Sequence, residues 1–218
     1  KFGSVNVTAL NASISEDDDM DVELTVGSLA NLTSETGSVV LSGTVSDASS
    51  SLVVGTQGSI TQDDSLIVGG QVLLDVSGGT FITLEDENDF QGAVSIVASG
   101  TNSGNVSIKD LNGLELAAVD VVSNLVIQTG GDLSQTSDSV ISVTGTSTLD
   151  ITEGENSKLL LDGTNNDFAG SLTIIATDSG STVKLVDQND LFIGSIDAGD
   201  TIDLTSTAGA IDDASDDA

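Results

Sequence analysis

The feature that most constrains this chain is a long internal repeat. Asn88-Asp89-Phe90-Gln91-Gly92-Ala93-Val94-Ser95-Ile96-Val97-Ala98 is echoed by Asn166-Asp167-Phe168-Ala169-Gly170-Ser171-Leu172-Thr173-Ile174-Ile175-Ala176, at an offset of 78. Val106-Ser107-Ile108 returns as Val183-Lys184-Leu185, and Asn112-Gly113-Leu114-Glu115-Leu116 as Asn189-Asp190-Leu191-Phe192-Ile193, both at an offset of 77. A third landmark occurs three times, at Ser51-Leu52-Val53-Val54, Asn124-Leu125-Val126-Ile127 and Thr201-Ile202-Asp203-Leu204, with spacings of 73 and 77. The spacing drifts where Gly, Ser and Asn cluster, while the apolar blocks keep their phase. A stack of coils tolerates such drift, because a turn that bulges outward does not displace the strands it joins.

The local pattern is that of strands. Apolar and polar residues alternate in Val22-Glu23-Leu24-Thr25-Val26, Leu149-Asp150-Ile151 and Val183-Lys184-Leu185, which places one set on each face. The apolar residues are largely β-branched and stiff at χ1, which favours strand over helix. Turn clusters such as Ser77-Gly78-Gly79, Ser99-Gly100-Thr101-Asn102 and Asp178-Ser179-Gly180 separate the strands, which recur about every ten residues. Aromatics are only 2% of the chain, five Phe with no Trp or Tyr. A narrow, regular interior of Val, Ile and Leu suits that composition; an irregular globular core wants larger rings. The expected fold is all-β, a parallel β-solenoid of roughly twenty-residue coils. It forms one continuous segment over 1–218, with a divergent repeat over 1–50, repeats over 51–123 and 124–200, and a partial one over 201–218.

Charge and missing side chains narrow the function. Four Lys, no Arg and 35 acidic residues give a net charge of −31. Such a surface repels phosphates and anionic lipid, and it attracts cations. No 18-residue apolar run is present, so membrane insertion is not expected. The chain opens on Lys1-Phe2-Gly3 and reads as a piece of something longer. With no His, Cys, Arg or Tyr, the familiar nucleophile–base pairs and guanidinium clamps cannot be assembled. No catalytic, cofactor-binding or metal-binding residue is therefore assigned, and no cofactor is expected. Acidic clusters at Glu16-Asp17-Asp18-Asp19-Asp21, Glu85-Asp86-Glu87-Asp89 and Asp212-Asp213-Asp216-Asp217 offer oxygen ligands for a structural calcium, but lack an EF-hand loop or a calcium-binding nonapeptide. Solvated turns are the simpler reading. In Asn88-Asp89-Phe90 and Asn166-Asp167-Phe168, Asn and Asp are expected to set a turn while Phe enters the core.

Leu125-Val126-Ile127-Gln128-Thr129-Gly130-Gly131-Asp132-Leu133-Ser134-Gln135, Thr146-Ser147-Thr148-Leu149-Asp150-Ile151, the Asn166–Leu172 block and Asn189-Asp190-Leu191-Phe192-Ile193-Gly194 follow one another in an order that resembles the repeat region of filamentous-haemagglutinin-like exoproteins. The resemblance covers residues 51 to 211. It implies a right-handed parallel β-helix, export by two-partner secretion, an extracellular, cell-surface location, and a structural or adhesive stalk in a surface or biofilm-matrix protein. Implied partners are neighbouring repeats of the same polypeptide and other copies in fibres. A host cell, bacterial surface or exopolysaccharide would be met through other regions. The acidic charge departs from that family's usual balance. A rival reading is a tandem array of calcium-rigidified Ig-like or cadherin-like sandwiches, kept open by the repeat length and the Asp187-Gln188-Asn189-Asp190 string.

Overall fold

The structure is a computed structural model that describes residues 3–78, 80–101 and 103–214. Within them the chain winds as a β-solenoid of about nine turns, with about 22 residues per turn and no helix. Every strand pairing is parallel. That overturns the sandwich alternative, which requires two antiparallel sheets packed face to face.

Each turn supplies three strand segments, which stack into three columns. In the first column Val106–Asp110 pairs with Leu125–Thr129, then Ser147–Asp150, then Leu172–Ala176. The second runs from residues 114–116 through Leu133–Gln135, Lys158–Leu161 and Thr182–Asp187 to Thr201–Ser206. The third runs from Ser51–Thr56 through Gln71–Asp75 and Val94–Ala98 to residues 119–121, Ile141–Val143 and Asp167–Phe168. Because each segment hydrogen-bonds to the turns above and below, most of the backbone along the rod is satisfied by the ladders themselves.

The alternation read from the sequence sets the interior. Val106, Ile108, Leu114, Leu116, Leu125 and Ile127 are buried, while Glu115 and Val126 point out and Ser107 is half-exposed. One apolar column of stacked Val, Ile and Leu runs the length of the rod, and Phe90 and Phe168 both enter it. A corner between the first and second columns needs unusual backbone. There Gly43 has φ of 101°, and a Cβ would sit 2.1 Å from the Leu24 carbonyl oxygen, so only glycine fits.

The repeat has a phase that the sequence alone conceals. From Val94–Ala98 in the third column to its echo Leu172–Ala176 in the first, the chain passes through ten strand segments. Ten segments are three turns of three columns plus one more column. Ser51–Thr56 lies in the third column, Leu125–Thr129 in the first and Thr201–Ser206 in the second. Equivalent residues therefore lie several turns apart along one axis, as expected, but each repeat is rotated by one column relative to the last.

Candidate functional site: buried polar staples of the repeat

The groups that mark each repeat are polar and lie inside the rod. Asn88 is wholly buried within the strand Ile82–Phe90, so it does not form an exposed turn. Its position follows from the local sequence. Glu85-Asp86-Glu87 bulge outward at the corner, and the chain must turn back in at residue 88 to bring Phe90 to the core. The bulge leaves backbone groups without ladder partners, and the Asn88 carboxamide takes them up. Its Oδ1 accepts from Leu66 N–H (2.8 Å), and its Nδ2 lies within hydrogen-bond range of the Leu84, Asp86 and Lys109 carbonyls. It also forms a reciprocal pair with the Gln62 carboxamide at 3.0 and 3.1 Å. Asn166 repeats the arrangement. Its Oδ1 accepts from Ile141 N–H (3.0 Å), and it pairs with Gln135 at 2.7 and 3.2 Å.

One turn on, each asparagine is followed by a buried carboxylate that stands in for a missing backbone carbonyl. Leu111 N–H donates to the Asn88 carbonyl (2.6 Å), and Gln188 N–H to that of Asn166 (2.8 Å). Asp110 Oδ2 then accepts from Phe90 N–H at 2.8 Å, and Oδ1 from Asn112 N–H at 2.9 Å. Asp187 does the same for Phe168 N–H at 2.7 Å and Asn189 N–H at 2.8 Å. Each carboxylate thus ties the turn before it to the turn it opens. Thr129 and Ser206 complete the stacks, directly paired with Asp110 and Asp187, and their hydroxyls donate to Gly131 O (2.7 Å) and Asn189 O (2.5 Å).

Burial pushes the Asp110 carboxyl up to about 6, against the lowering effect of the two N–H donors, with nearby Asp89 adding to the rise. Asp187 is raised for the same reason, opposed by its own two donors and helped upward by Asp167 and Asp190. Asp110 did not stand out in the sequence, nor did Gln62 and Gln135 as partners of the two asparagines, and Asp187 was noted only within the acidic Asp187-Gln188-Asn189-Asp190 string. The available signal was their spacing, since the two Gln stand at an offset of 73 and the two Asp at an offset of 77.

The acidic clusters lie on the outside. Several of their carboxylates already accept hydrogen bonds: Glu85 from Ser107 Oγ, Asp19 from Ser38 N–H, and Asp89 from Asn112 and Gln91. Among the described residues no three acidic side chains converge closely enough to share an ion. Asp216 and Asp217 of the last cluster lie outside those residues. Lys109 pairs with Glu153 at 3.1 Å and Lys184 with Asp162 at 3.0 Å, surface pairs that add little stability. A depression of about 270 Å³ beside the second staple is lined by Gln135, Ser139, Asp138 and Asp162, among hydroxyls and backbone.

Residues 30–97 and 103–175 both match the model of a family described as repeats of unknown function (DUF5649). The chain belongs to this family. The starts of the two DUF5649 copies are offset by 73 and their ends by 78, the displacements of the Gln and Asn staple partners. The first copy reaches back into residues 30–50, where the internal repeat is loose to the eye. Each of the two copies in this chain holds one Gln–Asn staple: Gln62 with Asn88 in the first, Gln135 with Asn166 in the second. No curated protein and no solved structure matches the chain.

Proposed function

We propose that this segment is a stiff spacer: the structural and adhesive stalk of a secreted bacterial surface or biofilm-matrix protein, without catalytic activity of its own. One observation carries the reading. Three parallel ladders and a single apolar column run from turn to turn, and no boundary divides the described residues into separately packed units. Such a rod is long relative to its width, resists bending, and gains length in proportion to repeat number. Its outer faces carry carboxylates and hydroxyls, which keep it hydrated and apart from its neighbours at low salt. The side-chain inventory supports the absence of catalysis, because no residue available here titrates near neutrality in the ordinary way and no guanidinium clamps an anion. The resemblance to filamentous-haemagglutinin-like exoproteins supports export and a surface location. Recognition of a host cell or polysaccharide then belongs to other parts of the polypeptide.

The test is an in-frame deletion of one repeat in the exported protein. Shorter fibres with adhesion retained are expected. Loss of adhesion from a protein that still folds and is exported would place a binding site within this segment and refute the spacer role.

A further inference from the structure

The sequence contains a single Asn-Gly step, Asn112-Gly113. It lies on the corner between the buried Asp110 and the strand Leu114–Val121, and both of its residues are exposed. The corner is pinned on either side of the step but not at it. Asn112 N–H donates to Asp110 Oδ1 at 2.9 Å, and Leu114 N–H to the Asp132 carbonyl at 2.8 Å. Between them, the Gly113 N–H donates to nothing among the described residues. The Asn112 carboxamide reaches back to the preceding turn, where its Nδ2 donates to Asp89 Oδ1 at 3.2 Å. Gly113 brings no Cβ to crowd the approach of its own nitrogen to that side chain. The next repeat builds the same corner with a different residue. Asn189, the equivalent of Asn112, is also exposed and donates its N–H to Asp187 Oδ1 at 2.8 Å, and Leu191 N–H donates to the Ala210 carbonyl at 2.8 Å. Asn189, however, is followed by Asp190.

We propose that Asn112-Gly113 is a self-modifying site, at which the Gly113 nitrogen displaces ammonia from the Asn112 carboxamide and loosens the rod at this corner. The Gly113 nitrogen, its proton taken by solvent base, attacks Asn112 Cγ. The new N–Cγ bond closes a five-membered succinimide. The Cγ–Nδ2 bond breaks, and its electron pair leaves on the nitrogen, which departs as ammonia. Water, the one co-reactant, then opens the ring. Cleavage of the N–Cγ bond gives aspartate at position 112. Cleavage of the original peptide bond gives isoaspartate, whose main chain runs through Cβ and Cγ and is one atom longer. Either product replaces the donor that faces Asp89 with a carboxylate, beside the buried Asp110, so an attraction becomes a repulsion. Each event takes the net charge from −31 to −32. Isoaspartate also adds length between two fixed hydrogen bonds, those of Asn112 N–H and Leu114 N–H. At the equivalent corner the Asp190 Cβ crowds the same approach, and its carboxylate disfavours loss of the neighbouring N–H proton, so Asn189 persists. The inference rests on the corner's geometry and is independent of the role proposed for the rod.

The test holds the folded chain in mildly acidic to mildly alkaline buffer and follows it by peptide mass spectrometry with isoaspartate-specific labelling, beside the same chain unfolded in urea. The Asn112 peptide is expected to become one dalton heavier, as aspartate and isoaspartate together, at a rate that rises with pH and stays close to that of the unfolded chain. Asn189 should react slower by about tenfold or more, a barrier difference of about 1.4 kcal/mol. Two variants fix the cause. Asn112→Gln, which would have to close a six-membered ring, should stop the reaction; Asp190→Gly should bring Asn189 towards the Asn112 rate. Converted chains, separated by their extra charge, should unfold at lower denaturant than unconverted ones at neutral pH, and Asn112→Asp should share that shift. An Asn112 that reacts in urea but stays intact in the folded chain overturns the inference. So does an Asn189 that matches it in the wild type, an Asn189 that stays slow in Asp190→Gly, or a converted rod whose unfolding midpoint has not moved.

Discussion

At the residue scale, the rod depends on a few buried polar groups that take the place of backbone partners. Asp110 serves two N–H donors from different stretches of the chain, and removing it strands both in the interior. Asp110→Ala is expected to cost about 2–4 kcal/mol, measured by chemical denaturation, with Asp187→Ala similar. The pH dependence has a definite sign. The Asp110 pKa in the folded chain, about 6, lies above the ordinary 3.8, so the folded state binds the proton more tightly than the unfolded one. Stability should rise as pH falls from 7 towards 4, with up to about 3 kcal/mol from this carboxyl. Relief of repulsion among the surface carboxylates acts in the same direction. Thermal melts of the wild type and Asp110→Ala across that range isolate the buried carboxyl, since only the Asp110 contribution disappears in the variant while those of Asp187 and the surface remain. A wild-type melting temperature that falls on acidification through this window would disprove the assignment. Asn88 makes a related case. Asn88→Ala leaves Leu66 N–H unsatisfied and breaks the pair with Gln62, and should cost more than Gln62→Ala, because Asn88 also serves the bulged backbone.

At the scale of the strand, the two sides of each segment differ sharply in tolerance. Ile127 faces the apolar column, and its neighbour Val126 faces solvent. Ile127→Ala should lose about 2–5 kcal/mol through lost burial and the cavity left behind, whereas Val126→Thr should change stability by less than about 0.5 kcal/mol. Corners obey a different rule. Gly43→Ala must force a side chain against the Leu24 carbonyl in a left-handed conformation, and is expected to destabilise by about 1–3 kcal/mol or more. Gly55→Ala meets nothing within 4 Å and should be neutral or slightly stabilising. Equal effects of the two glycine substitutions in a denaturation series would show that the corner geometry is wrong.

At the scale of the whole molecule, the repeat behaves as a screw. Removing residues 88–165 joins Glu87 to Asn166, a position equivalent to Asn88, so the first turn beyond the junction meets strands equivalent to those it loses, and later strands keep their partners. Ten strand segments are lost, which shortens the rod by about 16 Å at the spacing of stacked strands. Everything beyond the junction also turns by one column. Cysteine is absent, so labels can be placed cleanly. Thr61 and Thr173 both belong to the first column in the intact chain. Labels at these sites should report one shared face before the deletion and neighbouring faces after it, by spin-label distances. An unrotated pair would refute the ten-segment repeat.

The sequence by itself determined the all-β character, the inward and outward sets of each strand, and the recurrence of the same blocks at an offset near 77. All three depend on local alternation or on self-similarity along the chain, and both survive without knowledge of contacts. The strand spacing read from the turn clusters was too long for a three-column turn, because corners such as residues 84–88 are crossed inside one continuous strand and leave no turn signal. Tertiary structure alone decided the number of columns, and with it the rotation of each repeat. That number depends on how many segments close around the apolar column, a condition on packing that no sequence period encodes. It also decided the roles of Asn88, Asp110, Asn166 and Asp187. In a chain with 35 acidic residues, nothing distinguishes a carboxylate bound for the interior from one left in water. The difference is made by a backbone N–H of the preceding turn, which faces the carboxylate only when the next turn is laid upon the last.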